Sequence, residues 1–294
     1  MKISLSCMAA ILLAGISVAT QEPDTVRVAA VQCPSRMGKT SENLANIATL
    51  VRKAASQGAK IVVLPECSVQ GYMDPTTWTA WSKASEDTMS VRSVAEAIPG
   101  PSTRFLGQLA RDCGIYLCAG LIEAGTNAFF NAQILLSPQG AIVAHHRKKS
   151  LWTPGDSTWC TAGKRPAQVV QTEYGRLGLM ICYDYNSMPK RLAREMADIV
   201  LYSVGWYGPN ARHWFSRIFP RKHTVPHGFD LVAANWSSQT KDEAWPGCGH
   251  SCIITREGRV LGMSDSMAGN DIVMADLAIR PDRRQEAGET ASGE

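Results

Sequence analysis

Apolar positions along this chain recur with two different spacings, and the switches between them mark out the elements. The first clear run, "VRVAAVQC" (26–33), is apolar on both faces and predicts a buried strand. In "SENLANIATLVRKAASQG" the spacing changes: Leu44, Ile47, Val51 and Ala54 share one helical face, with Ser41 as a candidate cap and Gly58 as a stop. A strand over "AKIVVLPE" (59–66), a helix over "STRFLGQLARDCG" (102–114) and a strand over "IYLCAGLIE" (115–123) follow. Hairpins then take over. "FFNAQILLS" and "AIVAHHRKK" flank the turn "PQG", and "AQVVQ" and "LGLMICYD" flank "EYGR". Helices over "PKRLAREMA" (189–197) and "ARHWFSRIF" (211–219) each precede a strand, "DIVLYSV" and "FDLVAANW". The strands "HSCIITREG", "RVLGMS" and "DIVMADL" come last, and residues 281–294 read as a solvated tail.

Strands that alternate with helices and are interrupted by hairpins predict mixed sheets covered on both faces: an α/β chain of helices layered on two sheets. No break in composition marks a linker, so residues 21–280 are assigned to one domain. A 45% hydrophobic, 19% charged chain of 294 residues supports a substantial core, and a net charge of +4 without a basic run beyond "RKK" (147–149) gives no case for nucleic acid. The first residues, "MKISLSCMAAILLAGISVATQEPD", have an early Lys, an apolar stretch and small residues before a polar segment. That layout predicts a secretory signal peptide over 1–20, cleaved near Ala19 or Thr20, and an exported protein, periplasmic or extracellular. The alternative is a retained N-terminal anchor, against which Ser4, Ser6, Gly15 and Ser17 interrupt the apolar run. Export makes disulfides possible among the cysteines beyond Cys7, yet Cys33, Cys113 and Cys118 sit in apolar strand-like runs where a free thiol acts as a small hydrophobe.

Three residues stand out for their chemistry. Glu66 ends the apolar run "IVVLPE", where it can be a solvated strand end, half of an ion pair, or an acid–base group whose pKa burial has shifted. Lys148 sits in "HHRKKSLW", either a surface basic cluster or a cation at a strand end. Cys182 closes "GLMICYD", either a core thiol or a nucleophile. Together they have a meaning that none has alone. A thiol attacks a carbonyl or nitrile carbon as thiolate, and a nearby ammonium favours that form and stabilises the oxyanion that follows. A carboxylate can take the thiol proton, hand it to a leaving amine and then activate water.

The order strand-"LPE", "RK", apolar-"CYD" resembles the nitrilase, or carbon–nitrogen hydrolase, superfamily, and the resemblance covers about residues 26 to 275. Softer matches are "VAAVQC", Asn131 in the hairpin, "ADIVLYSVGW" and "GHSCIITREGRVL". The resemblance implies a four-layer α-β-β-α sandwich, a homodimer or higher homo-oligomer, and no metal or cofactor. It implies Glu66 as general base, Lys148 rather than Lys149 as the cation, and Cys182 as nucleophile. The family's second acid, eight residues after the Lys, falls on Asp156 in "TPGDSTW", where members usually carry Glu. An Asp either stands further from Lys148 or draws its loop inward, which Gly155 permits; the alternative is a plain turn residue.

The chain departs from the pattern in places. Pro189 stands seven residues after Cys182 instead of six, Lys190 replaces the usual Glu, and Ser150 replaces the His that follows the Lys. The implied activity is hydrolysis of a small non-peptide amide or carbamoyl C–N bond through a Cys thioester. A nitrile hydrolase on the same site, or a non-catalytic binding protein on this fold, are the alternatives. Candidate substrate contacts are Tyr72, Tyr183 and Trp206; Trp159, Tyr207, Trp214 and Trp236 either line the pocket or fill the core. In "CGHSC" (248–252), strand alternation would put Cys248, His250 and Cys252 on one face without a fourth ligand, so a loop entering a strand is expected over a metal site.

Overall fold

Both spacings reappear in the computed structural model, which describes residues 24–280 apart from 75–78, 85–88, 154, 207–209 and 242–247. The expected leader, the C-terminal tail and Tyr207 lie outside the described residues. The elements in chain order begin with β1 (Thr25–Gln32), α1 (Thr40–Ser56), β2 (Ile61–Val63), the two-residue strands β3 (Met73–Asp74) and β4 (Thr79–Ala80), α2 (Pro101–Cys113) and β5 (Tyr116–Ala124). They continue with β6 (Phe129–Leu136), β7 (Ile142–Arg147), β8 (Val169–Thr172), β9 (Gly175–Ile181), α3 (Pro189–Arg194) and β10 (Ile199–Val204). After a helical run over 211–227 come β11 (Asp230–Asn235), β12 (Cys252–Ile254), β13 (Val260–Met263) and β14 (Asp271–Ala278).

Two six-stranded sheets form, ordered β14-β1-β2-β5-β6-β7 and β13-β12-β11-β10-β9-β8. In each, parallel strands sit at the centre (β1-β2-β5; β9-β10-β11) and antiparallel partners flank them. Alternation within single strands builds the layers. Along β1, Ala29 and Val31 face α1 and α2, meeting Ile47, Val51 and Leu106, while Val28 and Ala30 face the second sheet. Along β10, Ile199 and Leu201 point to the first sheet, and Val200, Tyr202 and Val204 point to α3 and the run 211–227, meeting Leu192, Phe215 and Phe219. A strand apolar on both faces is thereby buried on both, and the result is the α-β-β-α order expected.

Several local expectations change. Helix α1 starts at Thr40, so Ser41 is not its cap; Asn43 reaches back instead, accepting from Arg36 N at 2.9 Å and donating to Arg36 O at 2.8 Å and Val69 O at 3.0 Å. Cys113 closes helix α2, not a strand. Helix α3 stops at Arg194 because Met196 takes a left-handed conformation (φ 54°). The run expected to end at Phe219 continues to His227: wide π turns over 214–218 and 220–224 accommodate Pro220, which cannot donate a backbone hydrogen bond.

Polar side chains stitch the sheets at their upper rim. Gln133 Nε2 donates to Leu201 O (3.1 Å) and Ser203 Oγ (2.8 Å), and Ser203 Oγ donates to Leu64 O (2.7 Å). Leu201 lies wholly between the sheets. Leu201→Ala is expected to destabilise the protein by about 2–5 kcal/mol through lost burial and a residual cavity. Urea unfolding followed by circular dichroism checks this, and a loss below about 1 kcal/mol would mean the intersheet layer is not tightly packed.

Candidate active site

The site gathers at the carboxyl ends of strands from both sheets. Beyond β2 the chain turns sharply at Pro65–Glu66, with Cys67 at φ 46°, and Glu66 N donates to Val204 O of β10 at 3.3 Å. Lys148 is the first residue past β7, held by its N–H to Asn131 O of β6 at 2.8 Å. Cys182 follows β9 directly and opens a tight turn over Cys182–Asn186 with φ 37°, a conformation that non-glycine residues adopt only where their surroundings hold them. Gly205 follows β10. A Cβ there would fall 2.7 Å from Glu66 Oε2, so only glycine lets the carboxylate lie against this strand end. Cys182 Sγ donates to Gly205 O at 3.6 Å, so the thiol and Glu66 Oε2 meet at the same residue.

Lys148, Glu66 and Asp156 are all fully buried or nearly so. Lys148 Nζ donates to Glu66 Oε1 at 2.7 Å and to Asp156 Oδ2 at 2.6 Å. An ammonium has three N–H groups, so a third is left beyond these two carboxylates. Asn131 Nδ2 donates to Glu66 Oε1 (2.6 Å) and Asp156 Oδ1 (3.2 Å), Tyr72 OH to Asp156 Oδ1 (2.9 Å), and Trp152 N to Asp156 Oδ2 (2.7 Å). Glu66 Oε2 is buried without a hydrogen-bond partner among the described residues. Asp156 is therefore no plain turn residue. Its loop has moved inward, as a shorter carboxylate requires, and Gly155 allows it: a Cβ there would strike the Trp152 ring at 2.5 Å.

The charges shift one another. Burial pushes the Glu66 carboxyl up from its ordinary 4.5, and the Lys148 ammonium only partly opposes this. Burial alone would lower Lys148, but Asp156 and Glu66 outweigh it and hold the amine well above its ordinary value, firmly protonated. For Cys182 the expected lowering by the ammonium is overruled. Burial first and the Glu66 charge second raise the thiol well above its ordinary value, with Lys148 and the Gly205 carbonyl contact pulling the other way. The resting site thus holds a thiol beside a carboxylate, not a preformed thiolate.

A second buried network, which the sequence pattern did not flag, joins the nucleophile turn to the lysine strand. Asp184 is wholly buried; its Oδ1 accepts from Lys149 N and Ser150 N, each at 2.8 Å, and its Oδ2 from His146 Nε2 at 2.8 Å. Ser150 and Ser187 hydroxyls pair at 2.7 Å, so the serine that replaces a His binds the same turn. The only sequence signal for Asp184 was its place in "CYD". Of the adjacent lysines, Lys148 is the one buried against Glu66 and Asp156, and Lys149 is partly exposed.

Above Cys182 and Gly205 lies a cavity of about 210 Å³ walled by Tyr72, Trp152, Tyr183, Tyr185 and Trp206. All three expected contact residues are there; Trp152 and Tyr185 are additions. Trp159 is core, Trp214 stands behind Trp206 at 4.8 Å, and Trp236 packs with Cys248. In "CGHSC", Gly249 and His250 have φ of 73° and 58°, which breaks the strand alternation. His250 Nδ1 donates to Ser264 O at 2.9 Å, and no metal-holding group of His, Cys, Asp or Glu occurs among the described residues. The eight described cysteines are free thiols.

With this geometry in place, comparison with known proteins is informative. The profile of the carbon–nitrogen hydrolase family matches residues 27–283. The chain is similar to the omega-amidase of Danio rerio, 31% identical over 265 residues (84% of this chain, 87% of the relative), and to that of Homo sapiens, 29% identical over 256 residues (81% and 85%). Among solved structures it is similar to a variant of the amidase from Nesterenkonia sp. AN1 bearing the acetamide moiety of fluoroacetamide on its active-site cysteine: TM-score 0.72, 23% identity, 92% of this chain and 98% of that one. A butyramide complex of the same amidase gives a TM-score of 0.71 at 24% identity, covering 90% and 96%.

If the Glu66 charge holds the proton on Cys182, Glu66→Gln should make Cys182 alkylate at lower pH than in the wild type. The pH dependence of iodoacetamide modification, read by peptide mass mapping at Cys182, checks this. An unchanged or higher midpoint would show that burial alone sets the thiol.

Proposed function

The chain belongs to the carbon–nitrogen hydrolase family, and from that membership we propose that it is an amidase cleaving a small non-peptide amide or carbamoyl C–N bond through a thioester on Cys182. One observation carries this: a buried thiol and an unpartnered carboxylate oxygen meet at Gly205 beside a buried ammonium, at the floor of a small cavity. Glu66 takes the Cys182 proton as sulfur attacks the carbonyl carbon, so the thiolate forms only with substrate in place. The third N–H of Lys148 meets the developing oxyanion. Collapse breaks the C–N bond, Glu66 passes its proton to the leaving nitrogen, and the acyl group stays on sulfur. Water, losing a proton to Glu66, then attacks the thioester; the acid leaves and the thiol regains its proton. Asp156 keeps Lys148 charged and anchors Tyr72 and the Trp152 backbone. The omega-amidase relatives and the covalent adduct in the Nesterenkonia amidase support this reading. The proposal extends to a homodimer or larger homo-oligomer, from the family resemblance, and to an exported mature chain beginning near Thr20 or Gln21, from the leader pattern.

Turnover of a panel of amides, ureides and nitriles, with mass detection of acyl-Cys182, tests the reaction. Cys182→Ala should abolish turnover with the fold intact. Lys148→Ala should cost on the order of 100-fold or more in kcat, while Lys149→Ala stays near wild type. Equal losses at the two lysines, turnover without Cys182, or preference for nitriles over every amide would each overturn the assignment.

The raised Glu66 pKa has a kinetic consequence. The base works only as carboxylate, and a raised pKa means that form is lost on acidification before an ordinary glutamate would lose it. The acid limb of kcat/KM should therefore fall above pH 4.5, the ordinary glutamate value. A limb at or below that value would place the base elsewhere.

A further inference from the structure

The walls of the cavity carry information that its floor does not. Five aromatic side chains form them, and they are braced from behind. Trp206 stacks on Trp214 with centroids 4.8 Å apart and planes at 21°, and Tyr185 packs against Trp214 at 5.2 Å and Tyr183 at 5.5 Å. The Trp206 backbone is pinned from both sides: its N–H donates to Asn235 Oδ1 at 3.0 Å and its carbonyl accepts from Trp236 Nε1 at 3.1 Å. The cavity, about 210 Å³, falls below the roughly 300–1,000 Å³ of drug-sized sites, so the acyl group it takes is small.

Charge is distributed unequally around it. Glu66 and Asp156 face one ammonium at the floor, and Lys148 is committed to both. No Arg or Lys is among the described residues that line the cavity. The exposed basic residues Arg217, Arg221 and Lys222 line a different cavity.

Resting on the amidase reading, we propose that the acyl side of the substrate is a small neutral apolar group, alkyl or aryl, and that amides whose acyl chain ends in a carboxylate are rejected. A second carboxylate would lose its water on aromatic surface, beside the Glu66 and Asp156 carboxyl groups and without a cation among the described lining residues to meet it. An alkyl chain or ring gains from the same surface. A cationic chain can meet the ring faces, but it too would lose its water there, and no carboxylate is among the described residues that line the walls.

Three amides of similar size separate these cases in the full-length protein: pentanamide, succinamate and γ-aminobutyramide. The kcat/KM for pentanamide should exceed that for succinamate by roughly 100-fold or more. Trp206→Ala should raise KM for pentanamide far more than it changes kcat, because the ring holds substrate and transition state alike. Tyr183→Arg, at the partly exposed rim, should narrow the preference by about tenfold through the counter-charge it introduces. Calorimetric binding of the same amides to Cys182→Ala provides a readout independent of turnover. If no amide is hydrolysed the amidase reading fails, and the binding order still decides the proposal about the walls. Succinamate or γ-aminobutyramide equal to or better than pentanamide, or no pentanamide binding at all, overturns it.

Discussion

One buried ammonium organises this molecule's working end. Lys148 is completely enclosed, and an isolated charge there would cost more than folding can supply. Two carboxylates meet it, at 2.7 and 2.6 Å, and every oxygen of theirs except Glu66 Oε2 is also held by Asn131, Tyr72 or the Trp152 backbone. Removing one member of such a group costs about 3–5 kcal/mol because the others remain buried and unpaired. The network therefore holds the ends of β2, β6 and β7 and the 152–156 loop to one geometry. One carboxylate would have neutralised the lysine. The second, Glu66, also lies beside the sulfur, where burial first and its charge second raise the thiol.

Burial, and after it the neighbouring Glu66 charge, explain why the site rests as a thiol. A cysteine beside a lone lysine would be a standing thiolate, open to oxidation and alkylation. Here Glu66 and burial hold the proton on Cys182. The burial that raises Glu66 also makes it a better proton acceptor than an exposed glutamate, so base strength and thiol protection have one physical origin. In the mechanism proposed above, the proton passes between two groups that share Gly205 as a neighbour, and an arriving carbonyl would shift the balance by giving the negative charge somewhere to go.

Placement depends on backbone as much as charge. The sulfur is presented by a residue at positive φ, and such a conformation persists only when over-determined. Asp184 supplies part of that constraint. Two residues past the nucleophile, it accepts from the backbone of Lys149 and Ser150 and from buried His146. The nucleophile turn of one sheet and the lysine strand of the other are thereby registered through a carboxylate that touches neither reacting atom.

Residue order alone determined much of this. Apolar periodicity separates strands from helices because burial acts on side chains at fixed spacings, and both faces of β1 and β10 being apolar implied sheets covered twice. Glu66 and Cys182 stand at the ends of apolar runs, where an ionisable group needs a reason to be, and the resemblance to the nitrilase superfamily singled out Lys148 from its basic cluster. Tertiary structure decided what no local pattern encodes. Asp156 sits in turn-like sequence, where the family resemblance put a second acid and a plain turn was the alternative, and only the fold brings it against Lys148. Asn43 replaces Ser41 at the start of α1 through a contact with Val69, 26 residues away. Pro220 passes through a helix because wide turns spare it a donor it lacks. Asp184, Trp152 and Tyr185 join the site through neighbours distant in the chain, and the sign of the thiol's shift followed from burial first and the Glu66 charge second, both of which only folding supplies. Periodicity is local and can be read along the chain; electrostatic balance and close approach are sums over space, and they exist only once the two sheets have met.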